Sequence, residues 1–272
     1  MARELAPTSA PDAPRAVPAA PSARAQLVRR FLLPPIAFIA IVLLWQAIIS
    51  IFSVPPYIIP TPASVARTLV VQRGVLWINA VPTIFESLGG FLLGNIVAIT
   101  TAVAFVNSKT LERTFYPLAV AIRTVPIVAI SPILVLLLGN GYAPKVAIAA
   151  LITFFPTLVN MVQGLQAADA QALGLMHVMS ASKSETFRYV RWPSSLPYLF
   201  AALRVASTSS VLGAIVAEWI GSNRGLGYLI VLTTFDFRTA LLYSAMVLAS
   251  AIALAFFLFI SILEWAVVRW ER

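Results

Sequence analysis

From Phe31 onward the chain is a succession of apolar runs about twenty residues long, and this feature settles what solvent it folds in. A helix rises about 1.5 Å per residue, so roughly 20 apolar residues cross the hydrocarbon core of a bilayer. Six such runs are read, at residues 31–52, 84–106, 115–138, 145–162, 199–220 and 240–268. The third is interrupted by Pro117, Pro126 and Pro132, each of which frees a backbone carbonyl that a neighbour must satisfy. The composition agrees. Of 272 residues, 60% are hydrophobic and 11% charged, against roughly 25% charged in a soluble domain. The expected fold is an all-α polytopic membrane protein of about six transmembrane helices.

Two parts stand apart from the spans. Residues 1–30 carry Pro7, Pro11, Pro14, Pro18 and Pro21 among Ala, Ser and Arg, with no hydrophobic period. Such a segment buries too little surface to order itself and reads as a disordered cytoplasmic tail, without the apolar stretch of a secretory signal. Residues 31–272 then form the membrane domain. The placement of Lys and Arg orients it. With the amino terminus inside, Arg3, Arg15, Arg24, Arg29, Arg30, Lys109, Arg113, Lys183, Arg188, Arg191, Arg269 and Arg272 fall inside. Arg67, Arg73, Lys145, Arg224 and Arg238 fall outside. The bias keeps its direction when the five arginines of the tail, which count weakly, are set aside. Both termini are therefore expected in the cytoplasm.

Two connections are too long to be turns. In the outer one, Val65, Leu69 and Leu76 recur at roughly helical spacing, which predicts a short interfacial helix over 63–77. The inner one, 166–197, reads as a helix from about Asp169 to Met179, a break, and a second helix from about Lys183. Ser182 followed by Glu185 is a capping-box start, and Pro193 and Pro197 punctuate the return to the membrane.

Catalytic chemistry is scarce. There is no cysteine and a single histidine, His177, so thiolate metal sites, disulfides and His-paired metals are excluded. No phosphate-binding loop of the form G-x-x-x-x-G-K-[ST] occurs, so the chain is not expected to hydrolyse ATP. Glu86 and Glu218 lie near the ends of spans. A carboxylate there is costly unless paired or wet, so Glu218 is either a gate or helix-positioning contact or an interfacial residue in outer water. Arg123, in the third span, either lines an aqueous cavity or reaches the inner interface with its long stem. Gly89, Gly90 and Gly94 allow close approach of helices.

The inner loop carries a resemblance. Phe187-Arg188-Tyr189-Val190-Arg191-Trp192-Pro193-Ser194-Ser195-Leu196-Pro197 resembles the end of the cytoplasmic EAA loop of ABC importer permeases, whose pattern is roughly EAA-x3-G-x9-I-x-LP. Ile59-Pro60-Thr61-Pro62, Phe154-Phe155-Pro156, Ile215-Val216-Ala217-Glu218 and Gly225-Leu226-Gly227-Tyr228-Leu229-Ile230 are similar to segments of the nitrate, sulfonate, taurine, pyrimidine-precursor and riboflavin group. Counted back from Pro193, the EAA triplet falls on Gly174, Leu175 and Met176, and the family glycine on Ser180. The acidic residue of the triplet is missing. Leu-Met at this place is similar to variants among pyrimidine and riboflavin permeases.

The resemblance implies a type I ABC importer permease in a bacterial inner membrane, working by alternating access. It implies a second permease copy, two soluble ATPases and an extracytoplasmic substrate-binding protein. ATP and Mg would be bound by the ATPases, with no cofactor or metal in this chain. Coupling to the ATPase would rest on Gly174, Leu175, Met176, Ser180, Ala181, Ser182, Phe187, Arg188, Leu196 and Pro197, with Glu218 and Arg123 at the pathway or gate. The implied solute is a pyrimidine or vitamin precursor or riboflavin-like molecule rather than sulfonate, taurine or nitrate. The competing reading is a single-chain secondary transporter, which calls for inverted repeats or coupled acidic sites within the membrane.

Overall fold

The computed structural model describes residues 32–268, apart from the side chains of Ile122 and Arg123. The tail 1–30 and Arg269–Arg272 lie outside the described residues. Every regular element described is helical. The chain divides into two compact units, Met1–Ser53 and Val54–Arg272. In the first, α1 (Leu33–Ile51) is a single apolar helix with Pro34 and Pro35 in its first turn, where the missing N–H groups cost nothing.

The second unit begins with α2 (Pro62–Val71), capped by Thr61, whose hydroxyl accepts from the Ser64 amide at 3.2 Å. It continues with α3 (Arg73–Asn107), α4 (Lys109–Arg123), α5 (Ile127–Leu138), α6 (Tyr142–Gln166), α7 (Ala170–Val178) and α8 (Lys183–Thr186). A π-helical turn over Phe187–Arg191 leads into α9 (Trp192–Gly221), followed by α10 (Leu226–Phe235) and α11 (Thr239–Val267). Five stretches are long and apolar enough to cross a membrane: α1, α3, α6, the continuous run Lys183–Gly221, and α11.

Three boundaries differ from the expectation. The interfacial helix ends at Val71, and α3 starts eleven residues before the expected span, with Pro82 inside it. One proline removes one backbone bond, and a 35-residue helix absorbs that loss where its flanks are packed. The third span is divided: helix stops at Arg123 and restarts at Ile127, with Pro126 capping the restart in extended conformation. A residue before proline is pushed out of the helical region, which places the break at Thr124 and Val125. Pro193 and Pro197 do not interrupt the entry to α9. The Trp192 amide bonds back to the Phe187 carbonyl, five residues away, so the π turn takes up the irregularity ahead of Pro193.

The core of this unit forms where α3, α6 and α9 pack. Gly94 touches α6 so closely that a Cβ there would collide with the Thr153 hydroxyl and the Ala150 carbonyl. Small residues bring helix backbones together where lipid supplies no hydrophobic drive. Ala98, Ala102, Leu158, Met161, Leu165 and Leu199 fill the inner half of the contact. Thr157 donates to Asn95 Oδ1 at 2.6 Å, satisfying a buried amide.

Candidate functional site

Two polar constructions stand out, one at each end of the bundle. At the inner end, Asp169 caps α7 by accepting from the Ala172 amide at 3.0 Å. The chain then turns at Ser180, whose φ of +53° places it in the left-handed region. This is the position that the family pattern assigns to glycine, and the backbone shows why glycine suits it. Ser182 starts α8 with a complete capping box. Its hydroxyl accepts from the Glu185 amide at 3.2 Å, and its own amide donates to Glu185 Oε2 at 2.7 Å. These bonds hold the Glu185 carboxyl below its ordinary range.

The loop's apolar residues separate into two sets. Phe187, Trp192 and Leu196 are half-buried against the α3–α6–α9 core, with the Phe187 and Trp192 rings 6.1 Å apart. Arg191 donates to the Leu165 carbonyl at 3.1 Å, fastening the π turn to the end of α6. Phe187 and Leu196 therefore seat the loop on its own subunit rather than forming an outward face. The outward face is carried by Gly174, Leu175, Val178 and Met179 of α7 and its cap, and by Ser182, Arg188 and Tyr189. Met176, Ala181 and Pro197 are half-buried. The hairpin thus exposes three large apolar side chains, Leu175, Val178 and Met179.

At the outer end, residues far apart in sequence converge. Glu86 of α3, Lys145 of α6 and Glu218 of α9 are all buried, at 0%, 8% and 1% exposure. The two carboxyls interact directly, and the Lys145 ammonium lies 3.3 Å from Glu86 Oε1 while donating to Ser222 Oγ at 2.8 Å. Glu218 Oε1 accepts from Thr83 Oγ1 at 2.6 Å, and Oε2 accepts from the Gly227 amide at 2.5 Å. Asn79 Oδ1 accepts from the Gly225 amide at 3.0 Å, and Thr83 Oγ1 from the Leu226 amide at 2.9 Å.

Glu218, Thr83 and Asn79 thus meet the orphan donors at the start of α10. Both oxygens of Glu218 are thereby occupied, one by Thr83 of α3 and one by the Gly227 amide of α10. The acidic pairing was not visible in sequence, because Glu86 and Glu218 are 132 positions apart. Arg123 belongs to α4, and its side chain lies outside the described residues. Arg204 pairs with Glu264 of α11 at 2.8 Å, a partner that spacing did not reveal. Among the described residues, no three His, Cys, Asp or Glu side chains gather in a way that would hold a metal ion.

Comparison with known proteins gives a consistent answer. Residues 90–272 match the family described as binding-protein-dependent transport system inner membrane component. The chain is 32% identical to the riboflavin transport system permease protein RibX of Chloroflexus aurantiacus, over 92% of this chain and 96% of that protein. It is 33% identical to the formylaminopyrimidine transport permease protein ThiX of Halalkalibacterium halodurans, over 75% of this chain and 82% of that one. Its fold matches a chain from inward-facing conformations of the MetNI methionine ABC transporter. That match has a TM-score of 0.60 at 17% identity and covers 75% of this chain and 99% of that one.

Proposed function

The chain belongs to the family of inner membrane components of binding-protein-dependent transport systems, and from that premise we propose how it works and what it carries. It is the membrane-spanning permease subunit of an ABC importer. Two copies form the pathway, two soluble ATPases bind ATP and Mg, and an extracytoplasmic receptor delivers the solute. ATP-driven closure of the ATPases draws the inner loops together and rotates the helices between inward and outward states. The solute is a pyrimidine or vitamin precursor or a riboflavin-like molecule, and the compartment is the bacterial inner membrane.

The observation that carries this reading is the inner hairpin. Leu175, Val178 and Met179 face outward, while Phe187, Trp192 and Arg191 lock the hairpin's other end to the core. A handle needs both properties: an exposed grip and a stiff connection to the helices that move. Reconstitution in proteoliposomes tests it. Uptake is expected only when the chain, an ABC ATPase, a receptor and ATP are all present. Full uptake by this chain alone would mean a secondary transporter and end the reading.

A further inference from the structure

A cavity of about 670 Å³ opens where α3, α4, α5, α6 and α9 meet, within the volume range of small-molecule sites. Its α6 lining runs from Leu151 to Leu158, midway along Tyr142–Gln166, and its α3 lining, Thr101 and Phe105, lies in the last two turns of that helix. Four rings line it, Phe105, Phe115, Phe154 and Phe155, together with the hydroxyl side chains of Thr101 and Ser209. Among the described residues no charged side chain reaches it.

The interrupted helix opens on this same space. Phe115, Leu118 and Ala119 precede the break at 124–126, and Ile127 and Ile130 follow it. Non-helical backbone at membrane depth leaves carbonyls and amides unpaired, and is tolerated against protein or a solvated cavity, not against lipid tails. Residues on both sides of this break line the cavity, a setting in which such backbone is tolerated.

We propose that this cavity binds the solute in transit by a flat, uncharged heteroaromatic ring. The phenylalanines offer stacking and edge contacts to such a ring. Thr101 Oγ1 already donates to the Val97 carbonyl at 2.7 Å, so it has only acceptor capacity left, which suits a ring N–H. Among the described residues no cation lines the cavity, so a sulfonate or nitrate would shed its hydration there at a loss that the rings do not offset. This assignment rests on the chain being the pathway subunit, and selects among that pathway's solutes by a feature separate from the inner loop.

The test uses the full-length chain in lipid nanodiscs with riboflavin as probe, read by quenching of its own fluorescence. Saturable quenching is expected, displaced by formylaminopyrimidine and not by taurine. Ser209→Phe fills the space and should weaken riboflavin binding about tenfold or more. Thr101→Val keeps the shape and should weaken it about several-fold by deleting the acceptor. Retained co-purification of an ABC ATPase with either variant shows that it is folded. No saturable binding, binding unaffected by both variants (lipid or a second copy filling the cavity), or equal displacement by taurine would each overturn the site. Uptake by the assembled importer separates this from the broader reading. Undiminished riboflavin uptake with Ser209→Phe removes the cavity's role alone, whereas uptake of anions only removes the proposed solute class as well.

Discussion

The Thr83 hydroxyl donates to Glu218 Oε1 at 2.6 Å and at the same time accepts from the Leu226 amide at 2.9 Å. One buried oxygen thus ties α3 and α9 to the first turn of α10. Thr83→Val conserves the shape but leaves both partners unsatisfied, at an expected cost of about 2 kcal/mol. Glu218→Ala strands both the Thr83 hydroxyl and the Gly227 amide, and should cost more, about 2–4 kcal/mol. The double variant should fall short of the sum, because both changes break one network. Thermal unfolding in nanodiscs checks all three.

Gly225 holds φ at +122°, and a Cβ on it would meet the Glu218 carboxyl. Gly225→Ala therefore combines backbone strain with displacement of the helix-capping acid, and is expected to cost about 2–3 kcal/mol. Amide exchange should rise across Leu226–Phe235 while α6 keeps its protection. Unchanged exchange in α10 would show that Glu218 does not set its position.

Much of this architecture is legible in the sequence, for physical reasons that also mark where legibility stops. Long apolar runs announce spans because the bilayer fixes their length, and Ser182 with Glu185 announces a helix start because the capping box is local. Gly94 reads as a close approach without naming Thr153 as its neighbour. The outer cluster was hidden. Glu86, Lys145 and Glu218 look like isolated interfacial charges until the fold brings them together, and a helix surrounded by lipid has no polar face to betray its inward side. The expected second span began at residue 84, yet the helix runs through Pro82, since packing on both flanks outweighs one lost hydrogen bond. Phe187 and Leu196, which the resemblance placed in the coupling loop, pack against the buried cluster that includes Ala98, Met161 and Leu165.

Ser180 adopts φ +53° at the turn between α7 and α8, a conformation that costs a non-glycine residue about 1 kcal/mol. Ser180→Gly relieves that cost and is expected to stabilise the hairpin by up to about 1 kcal/mol, partly offset by the greater freedom of the unfolded chain. Ser180→Val should destabilise it, because a branched Cβ fits this region worst. Amide exchange over Ala170–Thr186 reads both directions.

The capping box makes the hairpin sensitive to acid. The Glu185 carboxyl is held low by the Ser182 hydroxyl and amide, so its contribution is fully present above the ordinary glutamate range and is lost as pH falls through the lowered folded value. Protection of the Ser182 amide should stay level from pH 7 to about 5 and decline only below about 4. Glu185→Ala should abolish both the protection and its pH dependence. A decline already complete near neutrality would assign the effect to another group.

Arg188 is exposed on the hairpin with its guanidinium 5.9 Å from the Tyr189 ring, whereas Arg191 is spent on the Leu165 carbonyl. The two arginines should therefore respond differently to the same change. Arg188→Glu alters only the outward face, and with Ala181→Gln beside the turn it should reduce ATPase co-purification about tenfold. Insertion and thermal stability are expected to stay as in the unmodified chain. Arg191→Glu withdraws a bond that fastens the loop to α6, so it should lower stability by about 1–3 kcal/mol and weaken ATPase association as a consequence. Measuring both quantities on both variants separates a grip from an anchor. Equal loss of stability in the two would show that Arg188 is part of the loop's own packing and not of its outer face.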